Sequence, residues 1–246
     1  MFQPLSDKSM MDMENRNASN ERLDPLSQKV QLIEVAVFLF LILPSLALSF
    51  LTAKQTDLGF LEIAIGSILN DLALLSLVLY FIWRNHEPVG RIGWNFDHLR
   101  QDIAWGLILF VPVVFGGNLL ESVLHQAGFS APARPPSFLV MSGSAKIILG
   151  FIIVTVVAVV EETIFRGYLM LRLNAVTGRT GAAVLLSSLI FSLGHGYQGT
   201  AGTLSVFVLG VVFALIYLWR KSLVAPVVIH FLTDFTSIVL PALLQQ

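Results

Sequence analysis

The chain contains no cysteine and few charged residues for its length. The absence of cysteine excludes disulfide bonds, cysteine-ligated zinc and thiol nucleophiles. Charged residues occupy 13% of the 246 positions, against about 25% in a typical soluble protein, whereas 55% are hydrophobic and the mean hydropathy is +0.78. So few polar side chains cannot cover a water-facing surface. The formal net charge of −1 gives no reason to expect a nucleic-acid partner.

The first 29 residues differ in composition from the rest of the chain. Residues 1–29 are rich in Asp, Glu, Asn, Ser and Lys and contain no apolar run. They lack the basic-then-apolar arrangement of a cleavable signal peptide. A polar composition of this kind is typical of a segment that stays disordered. We therefore expect a disordered cytoplasmic tail.

Seven apolar stretches follow, each close to the ~20 residues that a helix needs to cross a bilayer. They lie at Val30–Ala53, Leu58–Trp83, Asp102–His125, Lys146–Leu173, Thr180–Tyr197, Thr200–Trp219 and Ser222–Leu244. Backbone groups in lipid must bond within their own segment, so these stretches predict helices. The fold class is therefore all-α, a polytopic transmembrane bundle of seven spans. The number rises to eight if the link Arg84–Gln101 hides a further helix.

The predicted spans fall into two regions. Residues 30–144 form the N-terminal membrane helices, and residues 145–246 form the helices that carry the candidate chemistry. The proline-containing link Gly128–Ser144 predicts a loop outside the membrane, because proline is common in turns and connections.

Basic residues predict the orientation. With the N-terminus in the cytoplasm, inside segments hold eleven Lys and Arg residues and outside segments hold three. The eleven are Lys8, Arg16, Arg22, Lys29, Arg84, Arg91, Arg100, Arg172, Arg179, Arg220 and Lys221; the three are Lys54, Arg134 and Lys146. This bias predicts an integral membrane protein with a cytoplasmic N-terminus, and we expect it in a prokaryotic cell membrane.

Ionisable side chains inside the spans need a reason, because an ionised group near the bilayer centre costs about 2.5–3.5 kcal/mol. In the fourth span, Glu162 and Arg166 are four residues apart, so they share a helix face and can pair. Glu161 is rotated by about 100° from Glu162 and has no local cation. We interpret Glu162 and Arg166 as a structural pair and Glu161 as the carboxylate that is free to act.

Two further spans contain histidines. Phe191 lies one turn before His195 in the fifth span, where its ring could fix the imidazole, and His230 lies one turn before Asp234 in the seventh. Together with Glu161, these groups could abstract a proton from water, stabilise an oxyanion or bind a metal. The remaining acids in or near the spans carry no motif and are expected in structural pairs or at the interface: Glu34, Glu62, Asp71 and Glu121.

These motifs, in this order on three apolar helices, resemble the CAAX-protease and bacteriocin-processing (CPBP, or Abi) family of intramembrane endopeptidases, the type II prenyl-protein protease group. The resemblance covers Lys146–Leu240. It implies hydrolysis of a peptide bond in a cavity open to the cytoplasmic side, with Glu161 and His195 activating water. His230 and Asp234 would stabilise the oxyanion, and the Glu–Arg pair of the fourth span would position the catalytic glutamate.

One position departs from the common family pattern, because many members have Asn where this chain has Asp234. An ionised carboxylate only accepts hydrogen bonds, so it cannot donate to an oxyanion. Either Asp234 is protonated, or it accepts from His230 and leaves that histidine as the donor.

A metal site is the main mechanistic alternative. Glu161, His195, His230 and Asp234 could form a zinc site with two histidines and two carboxylates. However, the sequence has no His-Glu-x-x-His helix. Hydrogen bonds among the four residues explain their placement without a metal, so we expect no cofactor.

Two other functions remain open at the level of sequence. The chain could be a non-catalytic scaffold or immunity protein of the same family, or a small transporter that uses Glu161 and the histidines as a proton relay. No inverted repeat accompanies the spans, which disfavours the transporter. The expected partners are the lipid bilayer and a membrane-associated peptide or protein substrate.

Overall fold

The computed structural model describes residues 26–55, 59–131 and 143–244, and regular structure within them is helical. Seven membrane helices follow in chain order: α1 (Gln28–Gln55), α2 (Phe60–Arg84), α3 (Leu99–Gln126), α4 (Ser144–Thr177), α5 (Thr180–Leu193), α6 (Gly199–Arg220) and α7 (Val224–Leu244). Six of them are long and apolar enough to cross a membrane, and α5, with 14 residues, is shorter. The predicted helical bundle is confirmed. Most of the predicted tail and of the proline-containing loop lies outside the described residues.

Large apolar side chains remain exposed on the outside of the bundle. Phe40, Val111 and Phe115 are each more than 60% exposed. In water such a surface would be unfavourable, whereas lipid provides an apolar solvent for it. Inside, the largest core cluster joins α1, α2 and α4 through residues such as Phe38 and Tyr168.

Two of the helices contain π-helical segments. Glu162–Leu169 forms one within α4, and Phe235–Val239 forms the other within α7. π-Helical turns are rare in proteins, and those that occur are often found at functional sites. The extra residue in each turn changes the direction of the side chains. The first segment begins at Glu162, and the second follows directly after Asp234.

The link between α2 and α3 enters the bundle. It contains a 3₁₀-helix, Val89–Ile92, which is too short to span a membrane, so seven spans remain. Ile92 is fully buried, and its backbone oxygen lies 2.4 Å from where a Cβ on Gly167 would be. Only glycine permits this close approach of backbone to helix. In addition, the indole N–H of Trp94 donates to Oγ1 of Thr163 at 3.1 Å, so the link packs directly against the π-helical segment of α4.

A buried ion network joins this link to α1 and α4. Arg172 is completely buried and donates to Glu34 at 2.8 Å and to both carboxylate oxygens of Glu87. Glu34 also accepts from Tyr168 at 2.9 Å and from Arg84 at 2.5 Å. The structural pairing predicted for Glu34 is therefore confirmed. Arg172 was expected at a cytoplasmic helix end, but it neutralises two buried carboxylates, so it is weaker evidence for orientation.

Candidate active site

A cavity of about 560 Å³ lies inside the bundle, and the four predicted catalytic residues line it. Glu161 comes from α4, His195 from the turn after α5, and His230 and Asp234 from α7. The structure therefore brings together residues that are up to 73 positions apart in the sequence.

Glu162 links two parts of this site. Its Oε1 accepts from Nη1 of Arg166 at 2.8 Å and from Nδ1 of His230 at 2.9 Å. The first contact is the ion pair that the spacing predicts, and both of its side chains are almost fully buried. The second contact crosses from α4 to α7 and was not predicted. Glu162 thus holds His230 as well as Arg166, because one carboxylate oxygen can accept from two donors.

Aromatic rings surround the Arg166 guanidinium. Its central carbon lies 4.2 Å from the centre of the Phe191 ring and 5.3 Å from that of Phe213, distances typical of cation–π contacts. The Phe191 ring also lies 4.9 Å from the ring of His195 and 6.1 Å from that of His230. Phe191 therefore contacts both imidazoles, whereas its spacing indicated only His195.

His230 has carboxylates near both ring nitrogens. Because Glu162 accepts at Nδ1, we assign a proton to that nitrogen. Nε2 then faces Oδ2 of Asp234 at 3.4 Å and Oε2 of Glu161 at 3.7 Å. Oε2 of Glu161 is buried and makes no hydrogen bond within the described residues. This oxygen can accept a proton from a water molecule that enters the cavity.

His195 lies in a turn and not on a helix, which corrects the predicted span Thr180–Tyr197. The α-helix ends at Leu193, because glycines flank His195 and the chain continues as a short 3₁₀ turn. Nδ1 of His195 lies 3.2 Å from the carbonyl oxygen of Phe191. A carbonyl only accepts, so Nδ1 carries the proton and Nε2 is the nitrogen that can act as a base.

The turn of His195 is held by the chain that follows α3. The backbone N–H of Ala201 donates to the carbonyl of Ser130 at 2.9 Å, and Ser130 N–H donates to Oγ1 of Thr200 at 2.9 Å. Gly199 has a φ of +76°, and a Cβ there would lie 2.6 Å from the Ser130 oxygen. A larger residue would displace this contact, so Gly199 sets where the histidine turn meets α6.

The described residues contain no group of three or more His, Asp or Glu side chains arranged to hold a metal ion. Both Nδ1 atoms already face acceptors from the protein, and Nε2 of His230 faces two carboxylates. Hydrogen bonds thus hold one nitrogen of each histidine, whereas Oε2 of Glu161 has no hydrogen-bond partner among the described residues.

Sequence reasoning missed part of the cavity wall. Asn70 and Asp71 in α2, Glu121 in α3 and Ser205 in α6 line the same cavity as the predicted residues. The structural pairing or interfacial placement expected for Asp71 stays a prediction: it forms no salt bridge with Lys or Arg among the described residues, and it hydrogen-bonds to Asn70. The adjacent polar residues Asn70 and Asp71 in the middle of an apolar helix were the available signal.

The cavity lies in the half of the bundle away from the basic helix ends. These ends meet one another: Arg84 at the end of α2 contacts Glu34 in α1, and Arg220 at the end of α6 contacts Asp102 at the start of α3. The lining of α6 spans residues 205–213, so it starts about 20 Å before Arg220 and ends about 10 Å before it. The cytoplasmic N-terminus and the opening of the cavity to the cytoplasm, both expected from the sequence, stay predictions.

Two comparisons with known proteins concern this region. Residues 143–236 match the family described as type II CAAX prenyl endopeptidase Rce1-like. The chain is also 30% identical over 138 residues to the membrane-embedded CAAX protease MroQ of Staphylococcus aureus (strain USA300). This alignment covers 54% of the chain and 55% of the relative, so the chain spans about half the length of the curated relative that it matches. No solved structure matches the chain.

The family resemblance inferred from the three motifs is thereby confirmed. The matched region 143–236 contains every predicted site residue, so the match falls on the same three helices as the motifs. The matched region begins after α3, so the family match does not cover the cavity residues of α2 and α3.

Proposed function

We propose that the protein is an intramembrane endopeptidase that hydrolyses a peptide bond without a metal. The observation that carries this proposal is the position of Glu161 Oε2, a buried carboxylate oxygen without a hydrogen bond, 3.7 Å from the His230 imidazole at the cavity wall. The family of the matched region supports the same class of reaction.

In this mechanism Glu161 accepts a proton from a cavity water, and the water oxygen forms a bond to the carbonyl carbon of the substrate. His195 Nε2 faces the same cavity and shares the proton. When the tetrahedral intermediate collapses, the carbon–nitrogen bond breaks and Glu161 returns the proton to the leaving amine. The products are a carboxylate and an amine.

His230 stabilises the oxyanion of the intermediate when Nε2 carries a proton, because Nδ1 is held by Glu162. The 3.4 Å separation between Nε2 of His230 and Oδ2 of Asp234 supports the arrangement in which Asp234 accepts from His230. Of the two roles that the sequence leaves open for Asp234, we favour the acceptor.

The test compares peptide termini in cells that express the wild type, Glu161→Gln or Glu62→Gln. Glu62 lies in the exposed first turn of α2, outside the cavity, so its variant is the matched loss of one carboxylate. We expect new termini with the wild type and with Glu62→Gln, and their loss with Glu161→Gln at equal expression. Equal termini in all three strains would contradict the proposal and favour a scaffold.

A further inference from the structure

Acidic residues in the membrane helices divide by their partners. Glu34, Asp102 and Glu162 each form a salt bridge with an arginine. The other helix acids form no salt bridge with Lys or Arg within the described residues: Glu62, Asp71, Glu121, Glu161 and Asp234. Apart from the exposed Glu62, all of these line the one cavity.

The cavity wall supplies one imidazole, His230, close to two of these carboxylates: its Nε2 lies 3.4 Å from Asp234 and 3.7 Å from Glu161. The cavity lining contains no Lys and no Arg, and the buried Arg166 nearby already pairs with Glu162. Asp71 is 9% exposed and projects from α2, which packs against the Glu161 helix α4. Its polar neighbours include the side chain of Asn70, which hydrogen-bonds to it, and the imidazole of His230. A carboxylate at this depth is costly unless a cation or a hydrogen-bonded network compensates it.

A second group in the wall also indicates a polar ligand. Ser205 is 3% exposed and lines the cavity, and its hydroxyl has no hydrogen-bond partner in the part of the chain that the structure describes. Buried hydroxyls are nearly always satisfied, so an unsatisfied one on a cavity wall indicates a partner that arrives with a ligand. A peptide carbonyl or amide supplies such a partner. Apolar residues such as Val113, Ile153 and Leu209 make up much of the remaining wall.

We propose that the cavity is a specificity site for a basic residue, in which the cationic end of a substrate Lys or Arg side chain binds Asp71. This inference rests on the proposed endopeptidase function. The aliphatic stem of Lys or Arg would pack against the apolar wall, as these side chains do on other apolar surfaces. The cation would then balance a carboxylate that forms no salt bridge with Lys or Arg among the described residues. Substrates are therefore membrane-associated peptides with a basic residue near the scissile bond.

The experiment uses the purified full chain in lipid nanodiscs with internally quenched peptides that are apolar except at one position. That position carries Lys, norleucine or Glu and is moved along the peptide. We expect kcat/KM to be at least about tenfold higher for the best Lys peptide than for its norleucine match, since loss of a buried charge partner costs at least that much. In Asp71→Asn and Asp71→Ser the Lys-to-norleucine ratio falls towards one, whereas Glu62→Gln keeps the wild-type ratio.

A wild type that cleaves Lys and norleucine peptides equally, or Asp71 variants that keep the Lys preference, would overturn the inference and leave the protease proposal intact. If Glu161→Gln still cleaves, or if the wild type cleaves nothing, the proposed function fails. The inference is then decided by binding of the same fluorescent peptides: a Lys preference that Asp71→Asn removes supports it, and equal binding overturns it.

Discussion

Glu161 and Glu162 are adjacent and identical in chemistry, yet the structure predicts opposite consequences when each is changed. Glu161 makes no hydrogen bond through its buried Oε2, so Glu161→Gln removes a proton acceptor and few contacts. Glu162 is completely buried and accepts from both Arg166 and His230. We expect Glu161→Gln to fold as the wild type and lose peptide cleavage, and Glu162→Ala to lose stability first.

The magnitude for Glu162→Ala follows from what it leaves behind. Arg166, with 1% exposure, would keep its charge between the rings of Phe191 and Phe213 without a counterion. Breaking a buried pair by removing one partner costs about 3–5 kcal/mol, whereas replacing both partners by apolar residues is often neutral or stabilising. The double variant Glu162→Ala with Arg166→Met should therefore be more stable than Glu162→Ala alone.

The assay is equilibrium unfolding in mixed micelles, monitored by the circular dichroism of the helices. It compares the wild type with Glu161→Gln, Glu162→Ala, Arg166→Met and the double variant. We expect the effects of the two substitutions on the free energy of unfolding to be non-additive, because contacting charges are coupled. Arg166→Met should recover at least about half of the stability that Glu162→Ala loses. Additive losses would show that the buried pair does not account for the stability of this region. A large loss in Glu161→Gln would refute the division of roles between the two glutamates.

Four further predictions concern Asp234, Gly167, metal dependence and orientation in the membrane. Asp234→Asn should keep measurable cleavage with its fold intact, because its role is to accept from a histidine that remains the donor; complete loss of turnover would contradict this. Gly167→Ala should lower the free energy of unfolding by about 1–3 kcal/mol, since the new Cβ would overlap the Ile92 oxygen; unchanged thermal unfolding would argue against the packing described. EDTA and phenanthroline should leave the peptide cleavage rate unchanged, and a loss restored by zinc would revive the metal mechanism. The chain has no cysteine, so Lys221→Cys and Gln126→Cys report sidedness directly; an impermeant thiol reagent applied outside should label Gln126→Cys alone if the N-terminus is cytoplasmic.

The sequence predicted those features that depend on residues close together in the chain. The four-residue spacing of Glu162 and Arg166 indicated an ion pair, and the helical fold followed from hydropathy and length. Contacts between distant segments had no such signal. The bond from Glu162 to His230 joins residues 68 positions apart. It depends on how α4 and α7 pack, which no local pattern contains.

Helix geometry also limited the sequence prediction. The spans were drawn as regular helices, whereas α4 changes to a π-helix at Glu162 and α5 ends before His195. Both changes lie beside tertiary contacts: Ile92 packs against the π-helical segment at Gly167, and the chain after α3 packs against the histidine turn at Gly199. The sequence left the surroundings of Asp71 open for a related reason, because whether a membrane carboxylate faces an arginine or a cavity is decided by its neighbours on other helices.

The N-terminal helices therefore do more than complete the bundle. The segment with the family match, residues 143–236, contains every predicted catalytic side chain, but its π-helical segment is braced from outside the match. Trp94 donates a hydrogen bond to Thr163, which follows the two glutamates. At the far end of the same segment, Tyr168 donates a hydrogen bond to Glu34. Asp71 also lies outside the match, on the cavity wall. The matched segment thus contains the residues that we propose carry the reaction, while the preceding helices contact that segment and supply the charge by which we propose that this protein selects its substrate.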